Sequence, residues 1–291
     1  MIRFLLSCLH MKKILVPFDF SALSMSALRF AIELAEAAGG EVIALHVVNM
    51  TPVYLESLDP NGYAVGSASI LSELGREATE NFARVKSELK TRLEPGFRVE
   101  QGLLHQIIIK TIHETGADLV VMGTNGSSGL AEVIVGSNTE KVVRTAPVPV
   151  ISIHKGQKIS QIRNIVFPTT IDLQQHRFIW QIRALQSFLG AHLHLLYVKT
   201  PDSKDTDQAL AHMLSDLAEY YSLTEYSVHV THAPNEEKGV LKFAARMPGS
   251  MIAMATHGYT GLTHLMLGSV AENVINHTRE AVWTCKLSEH V

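Results

Sequence analysis

A sixteen-residue phrase occurs twice in the chain, MGTNGSSGLAEVIVGS at Met122–Ser137 and MATHGYTGLTHLMLGS at Met254–Ser269. The copies share Met, Thr, Leu, Ser and three glycines, and exchange apolar for apolar at Val133–Val135 and Leu265–Leu267. A repeat this long requires the fold to build the same supersecondary unit twice. Each copy follows an apolar, strand-like run and ends in Gly-Ser at the opening of a helical pattern, an arrangement in which backbone N–H groups can hold a phosphate.

The 291 residues therefore divide into two domains of about 145 residues each, an ordinary domain size. Hydrophobic residues make up 46% of the chain and charged residues 18%, enough apolar material for two packed cores and no basis for disorder. A net charge of −3 provides no field to gather nucleic acid or an anionic membrane, so neither is an expected partner. The two cysteines, Cys8 and Cys285, form no disulfide framework and fit a reducing cytoplasm. The apolar part of MIRFLLSCLH is about half the length an export signal needs. Residues 1–10 read as a loose extension or a misassigned start before Met11. The expected domains are 11–154 and 162–288, with a linker at 155–161.

Apolar runs and helical patterns alternate along both halves. Strands are expected at Lys13–Phe18, Val42–Val48, Val99–Leu103, Leu119–Met122 and Val148–Ile153, with helices following Ser21, from Leu74 to Leu93, from Ile107 to His113 and from Thr139 to Thr145. The second half repeats the order: strands at Ile165–Pro168, His192–Val198, Tyr226–Val230, Met251–Ala255 and Val282–Cys285, helices at Gln174–Leu189, Asp207–Tyr221 and Glu236–Arg246. This predicts an α/β fold: two tandem doubly wound, Rossmann-like domains, each with a five-stranded parallel-type sheet. The halves differ in one interval. Val47 and Met122 are 75 positions apart, whereas Val198 and Met254 are 56 apart. The 19 extra residues are assigned to a loop from Met50 to Leu71, marked by Pro52, Pro60, Gly62 and Gly66, at the ligand-facing edge of the sheet.

In the first phrase Gly123 allows the chain to turn and approach a ligand, Gly126 permits a positive φ, and Gly136 and Ser137 offer unpaired N–H groups and a hydroxyl at a helix start. Three or four charge-assisted hydrogen bonds at about 1.5–3 kcal/mol each suffice for a micromolar ligand. There is no Gly-Lys-Ser/Thr P-loop and no G-x-G-x-x-G after the first strand, which argues against an ordinary P-loop hydrolase or a dinucleotide dehydrogenase. No Ser-His-Asp order or paired carboxylates anchor catalysis, so no catalytic residue is assigned.

KILVPFDFS, the LHVV strand, ADLVVMGTNG and the G-x-x-G-x9-G-S spacing followed by PVPVISI together resemble the universal stress protein family, and the glycine spacing resembles its ATP-binding branch. The resemblance covers nearly all of residues 11–288. It implies ATP held at the C-terminal edge of the first sheet, with Mg2+ or Mn2+ held only through the phosphates. Carried over residue by residue, Asp19 would bond the ribose or base region, Val47 would offer backbone groups to adenine, Pro17 and Met122 would border the base, and Gly123 would sit against the ribose. Gly126, Gly136, Ser137 and the Asn138 amide would take the phosphates. Asp19 also reads simply as a helix cap or turn residue. The expected role is a nucleotide-dependent stress-response switch or partner-binding protein with at most slow hydrolysis. The alternatives are an enzyme using ATP for phosphoryl or adenylyl transfer, and a nucleotide-independent scaffold.

The second half departs from this pattern: Thr170 stands in the place of Asp19 and Ala255 in that of Gly123, while Val198, Gly258, Gly268 and Ser269 remain. A weaker second site is expected, with Asp172 as a possible substitute carboxylate. His192 and His194 share a strand face but have no evident third ligand, so no metal site is assigned. Trp180 and Trp283 read as core or interface residues. Pro149 lacks an N–H, which puts the fifth strand at an edge. The family resemblance implies that the two fifth strands pair antiparallel within the chain. A further homodimer is possible.

Overall fold

The computed structural model describes residues 11–48, 67–124, 137–172, 175–256 and 266–286. The first half runs β1 (Lys13–Pro17), α1 (Ala22–Ala38), β2 (Glu41–Val48), α2 (Ser67–Glu88), β3 (Gly96–Gln101), α3 (Leu104–Thr115), β4 (Leu119–Gly123), α4 (Ser137–Thr145) and β5 (Val150–Ile153). The second runs β6 (Asn164–Pro168), α5 (His176–Leu189), β7 (His192–Lys199), α6 (Asp207–Tyr220), β8 (Tyr226–His232), α7 (Glu236–Ala244), β9 (Ser250–Ala255), α8 (Met266–His277) and β10 (Ala281–Cys285).

The strands form one ten-stranded sheet in the order β3-β2-β1-β4-β5-β10-β9-β6-β7-β8. Every neighbouring pair is parallel except β5 and β10, which run antiparallel with Ser152 opposite Val282, Ile151 opposite Trp283 and Val150 opposite Thr284. The two halves are thus tandem doubly wound sheets joined along their fifth strands. The Thr284 hydroxyl adds a bond to the Val150 carbonyl at 3.1 Å across this seam.

The inner strands read as unbroken apolar runs because both sheet faces are covered. In β1, Ile14 and Val16 enter one core with Leu28, Leu34 and Phe82, while Leu15 enters the other with Ile108 and Val142. Both cores continue through the seam into the second half, where Trp283 is fully buried with its ring centroid 5.5 Å from Phe178. Gly39 and Gly190 close α1 and α5 in the left-handed region, at φ 64° and 59°, where a glycine carries no Cβ penalty.

Several boundaries differ from the sequence reading. The helix expected at Leu74–Leu93 begins at Ser67 and ends at Glu88, so the expected Met50–Leu71 loop loses its last five residues to α2; its turn-forming prolines and glycines all precede Ser67. Beyond the helix, Thr91 and Arg92 bond instead to the Glu36 carboxylate. The rest of that loop lies outside the described residues, as does Cys8. The strand expected at Val99–Leu103 is Gly96–Gln101, because Gly96 pairs with Ile43 and Gly102 turns the chain at φ 136°. As expected from Pro149, β5 is the last strand of its own half-sheet, and β10 pairs antiparallel along that edge. Trp180 is not a core residue. It lies 46% exposed on α5 under the Arg183 guanidinium, 4.9 Å from the ring centre.

Truncating Trp283 to Ala is expected to cost about 3–5 kcal/mol of stability, the range for a buried large aromatic, measured by urea unfolding with Trp180 as the remaining fluorophore. A fragment of residues 11–154 leaves β5 unpaired and is expected to self-associate; a fully stable monomer in light scattering would contradict the role given to the seam.

Candidate functional site

The first half opens a cleft of about 410 Å3 at the C-terminal ends of β1, β2 and β4, between the starts of α1, α3 and α4. This is where open parallel sheets bind ligands. Pro17, Leu45, Val47 and Met122 supply apolar floor and wall, Asp19 and Ser24 one polar rim, and Asn138, Thr139 and Lys141 another.

The β1–α1 turn sets the position of Asp19. Phe20 takes a left-handed φ of 64°, a conformation that costs a non-glycine residue about 1–3 kcal/mol and persists only where packing over-determines it. The packing comes from an aromatic group: the Phe20 ring lies 4.9 Å from Phe18, 5.2 Å from His46 and 6.4 Å from Phe97, and Phe97 stacks on Phe82 at 4.2 Å. His46 Nδ1 is bonded to the Phe18 carbonyl at 2.8 Å. Ser21 then caps α1, its hydroxyl accepting from the Ser24 amide at 3.1 Å. The Ser21 amide donates to Asp19 Oδ1 at 3.0 Å. Desolvation pushes the Asp19 carboxyl up, but bonds from Ser21 and Ser24 together hold it below the usual carboxylate range. It is an ionised acceptor facing the cleft.

Gly123 ends β4 against the first turn of α1. A Cβ there would stand 2.6 Å from the Leu23 carbonyl oxygen. The glycine is required by this contact within the protein, a reason different from the ligand approach inferred from sequence. Sequence reasoning also missed Leu103, Leu104 and His105 at the start of α3, which line the opposite wall. The α3 N-cap residue, Leu103, makes no side-chain cap and is 49% exposed. An uncapped leucine after Gly102 was the available signal.

Of the residues expected to hold a nucleotide, Pro17, Asp19, Val47, Met122, Gly123 and Asn138 line this one cleft. Ser137 begins α4 beside Asn138. Gly126 and Gly136 lie outside the described residues, as does Gly258 of the second half.

The corresponding region of the second half is built differently. Ile171 repeats the left-handed turn at φ 62°, but Thr170 is exposed and carries no charge. Ala255 puts a methyl group where Gly123 has none, and regular helix begins only at His176. Val198 is covered by α7: a Cβ on Gly239 would stand 2.3 Å from Val198 Cγ1. Next to it, Asp207 binds Lys199 at 2.9 Å and His232 at 2.7 Å across the strand ends. Asp172 acts on the Tyr221 phenol, which burial, Tyr220 and Asp172 push up to about 12. Gly268 and Ser269 fall within the first turn of α8. Among the described residues, no group of three or more His, Cys, Asp or Glu side chains is arranged to hold a metal, and no helix is long and apolar enough to cross a membrane.

A model of the universal stress protein family matches residues 10–154 and again 161–286. A universal stress protein of Methanocaldococcus jannaschii is 31% identical over 147 residues, covering 50% of this chain and 84% of the relative. One from Synechocystis is 24% identical over 298 residues, covering 94% and 99%. Among solved structures, a universal stress protein from Archaeoglobus fulgidus superposes with a TM-score of 0.69 at 21% identity, over 95% of this chain and 99% of that one.

Replacing Gly123 by Ala forces the start of α1 away from β4 and is expected to cost about 1–3 kcal/mol, the usual penalty for an overpacked contact. Chemical denaturation measures it. An unchanged midpoint would show that α1 yields freely.

Proposed function

The chain belongs to the universal stress protein family, and from that premise we propose that its first half is an adenine-nucleotide receptor working as a switch in a stress response. The observation that carries this reading is the convergence of Pro17, Asp19, Val47, Met122, Gly123 and Asn138 on one cleft. The apolar floor suits a purine ring, and the ionised Asp19 suits the hydroxyls of a ribose. Lys141, with the start of α4 at Ser137 and Asn138, gives the phosphate end its donors. ATP is the ligand, with Mg2+ or Mn2+ held through its phosphates, because the described residues of the cleft include no carboxylate cluster to form a cage. In this reading the nucleotide is held as a signal, and hydrolysis is slow at most. It acts in the cytoplasm, and dimerisation of the whole chain is compatible with this role.

The second half does not contribute an equal site. It has Thr170 for Asp19 and Ala255 for Gly123, with α7 closed over Val198. One nucleotide per chain is the expected stoichiometry.

Isothermal titration with Mg-ATP is expected to give one site per chain, and at a hundredfold excess over Kd the ligand should add about 2.7 kcal/mol to unfolding stability. Asp19→Asn should weaken binding by roughly 1.5–3 kcal/mol, about ten- to a hundredfold, as for a hydrogen bond to a charged group. Gly126→Val and Gly136→Val should abolish nucleotide carried through purification, read by mass spectrometry. Binding that survives all three substitutions, or two equal sites, would overturn the assignment.

A further inference from the structure

Away from the cleft, three imidazoles of the second half converge on one hydroxyl. His192 and His194 of β7 lie on the face of the sheet covered by α7, and His229 reaches them from β8. His192 Nε2 is 3.2 Å, His194 Nδ1 3.1 Å and His229 Nε2 2.9 Å from Ser227 Oγ. His194 Nδ1 also stands 3.1 Å from His229 Nε2, and its Nε2 is 3.0 Å from the Asn164 side-chain oxygen on β6. The pairing of β7 with β8 brings them together, setting His194 opposite Ser227.

The protons in this network can be counted. The Asn164 oxygen only accepts, so His194 carries its proton on Nε2 and presents a lone pair at Nδ1. A serine hydroxyl donates once and accepts twice. Ser227 therefore donates to His194 Nδ1 and accepts from Nε2–H of His192 and of His229. Every polar atom at the centre is satisfied when all three rings are neutral. An added proton on His194 has only Nδ1 to occupy, so the Ser227 hydroxyl must turn from it and one neighbouring imidazole must change tautomer to accept from Ser227. An added proton on His192 or His229 puts a cation 4.8 or 5.2 Å from the His194 ring.

The surroundings offer little compensation. On the α7 side the rings meet Phe243, 4.8 Å from His229 and 6.3 Å from His194, while Lys242 of that helix and Arg246 just beyond its end are exposed. Beside His192 the charged groups are Arg163 and Arg183, which oppose a further positive charge, and Glu225. β6 contributes the uncharged Asn164. The first half holds the matching strands differently, with Lys13–Glu41 at 2.8 Å and Arg98 bonded to Glu100 and Glu114.

We propose that the His192–His194–His229–Ser227 network is an acid-sensitive latch that fastens the outermost strand β8, with α7 above it, to β7 only while its rings are neutral. Burial and the neighbouring histidines push His194 down to about 4, and burial lowers His229. Because the folded state prefers the neutral ring, the unfolded chain binds more protons below the ordinary histidine value near 6.5. The stabilisation is complete above that value and is lost as the pH falls from there towards about 4. The first-half counterpart β3 serves as a control within the same molecule.

The test is hydrogen exchange of the full-length protein, corrected for intrinsic rates, near pH 7.5 and near pH 4.5. Protection across residues 226–232 should fall about tenfold or more at the lower pH, while residues 96–101 change by less than about twofold. His194→Gln, which cannot take up a charge, should flatten the pH dependence at β8. Ring resonances of the unaltered protein supply a second measurement that needs no variant, with His194 expected to remain neutral down to about pH 5. Parallel loss of protection in β3 and β8, undiminished pH dependence in His194→Gln, or all three rings titrating near 6.5 would each overturn the proposal.

Discussion

The pairing of β5 with β10 is the contact on which the rest of the molecule depends. Each half alone is a five-stranded sheet with a bare edge at its fifth strand, and each edge satisfies the other's backbone groups. The seam also makes the cores continuous, so Trp283 of the last strand is buried in a cluster that includes Ile14 of the first. The chain between the halves is anchored on both sides of the seam. The Ile159 amide donates to Glu33 on α1, and the Gln157 side chain donates to the Arg279 carbonyl before β10. These contacts help fix how the two similar domains sit.

Within that frame the two halves keep one scaffold and change its chemistry. The left-handed residue after the first strand is Phe20 in one half and Ile171 in the other, with φ differing by two degrees. Neither residue favours that conformation, so its retention indicates that the turn itself is required by the fold. What differs is what the turn presents: an ionised carboxylate at Asp19, an uncharged hydroxyl at Thr170. Gly123 and Ala255 extend the contrast, since the first allows α1 to sit against β4 and the second adds a methyl group at that point.

The tandem α/β architecture and most elements were legible because periodicity records burial along a single element. The apolar runs KILVPF and VVM, covered on both faces, could be little else than inner parallel strands. The approximate limits of β3 and α2 had weaker signals: Gly96 joins a strand through its partner Ile43, and the final turn of a helix yields to the side chain of Glu36 on another helix. The cleft was legible where residues sit at strand ends, as with Pro17, Val47 and Met122. It was not legible where it depends on packing between elements. That Gly123 answers to Leu23, that Gly239 lies flush on Val198, and that His229 joins His194 are contacts between elements distant in sequence, which the periodicity of one element does not record.

The antiparallel seam has one more effect. Reversing strand direction at β5 and β10 places the C-terminal strand ends of the first half along the same margin of the sheet as the N-terminal strand ends of the second. A pair of identical halves would show the same chemistry along both margins. This chain does not: one margin carries the Asp19 cleft together with the strand starts at Asn164 and His192, and the other carries the Lys13–Glu41 pair together with the Lys199–Asp207–His232 group. Divergence of the repeats has turned a near-symmetric object into one with a front and a back.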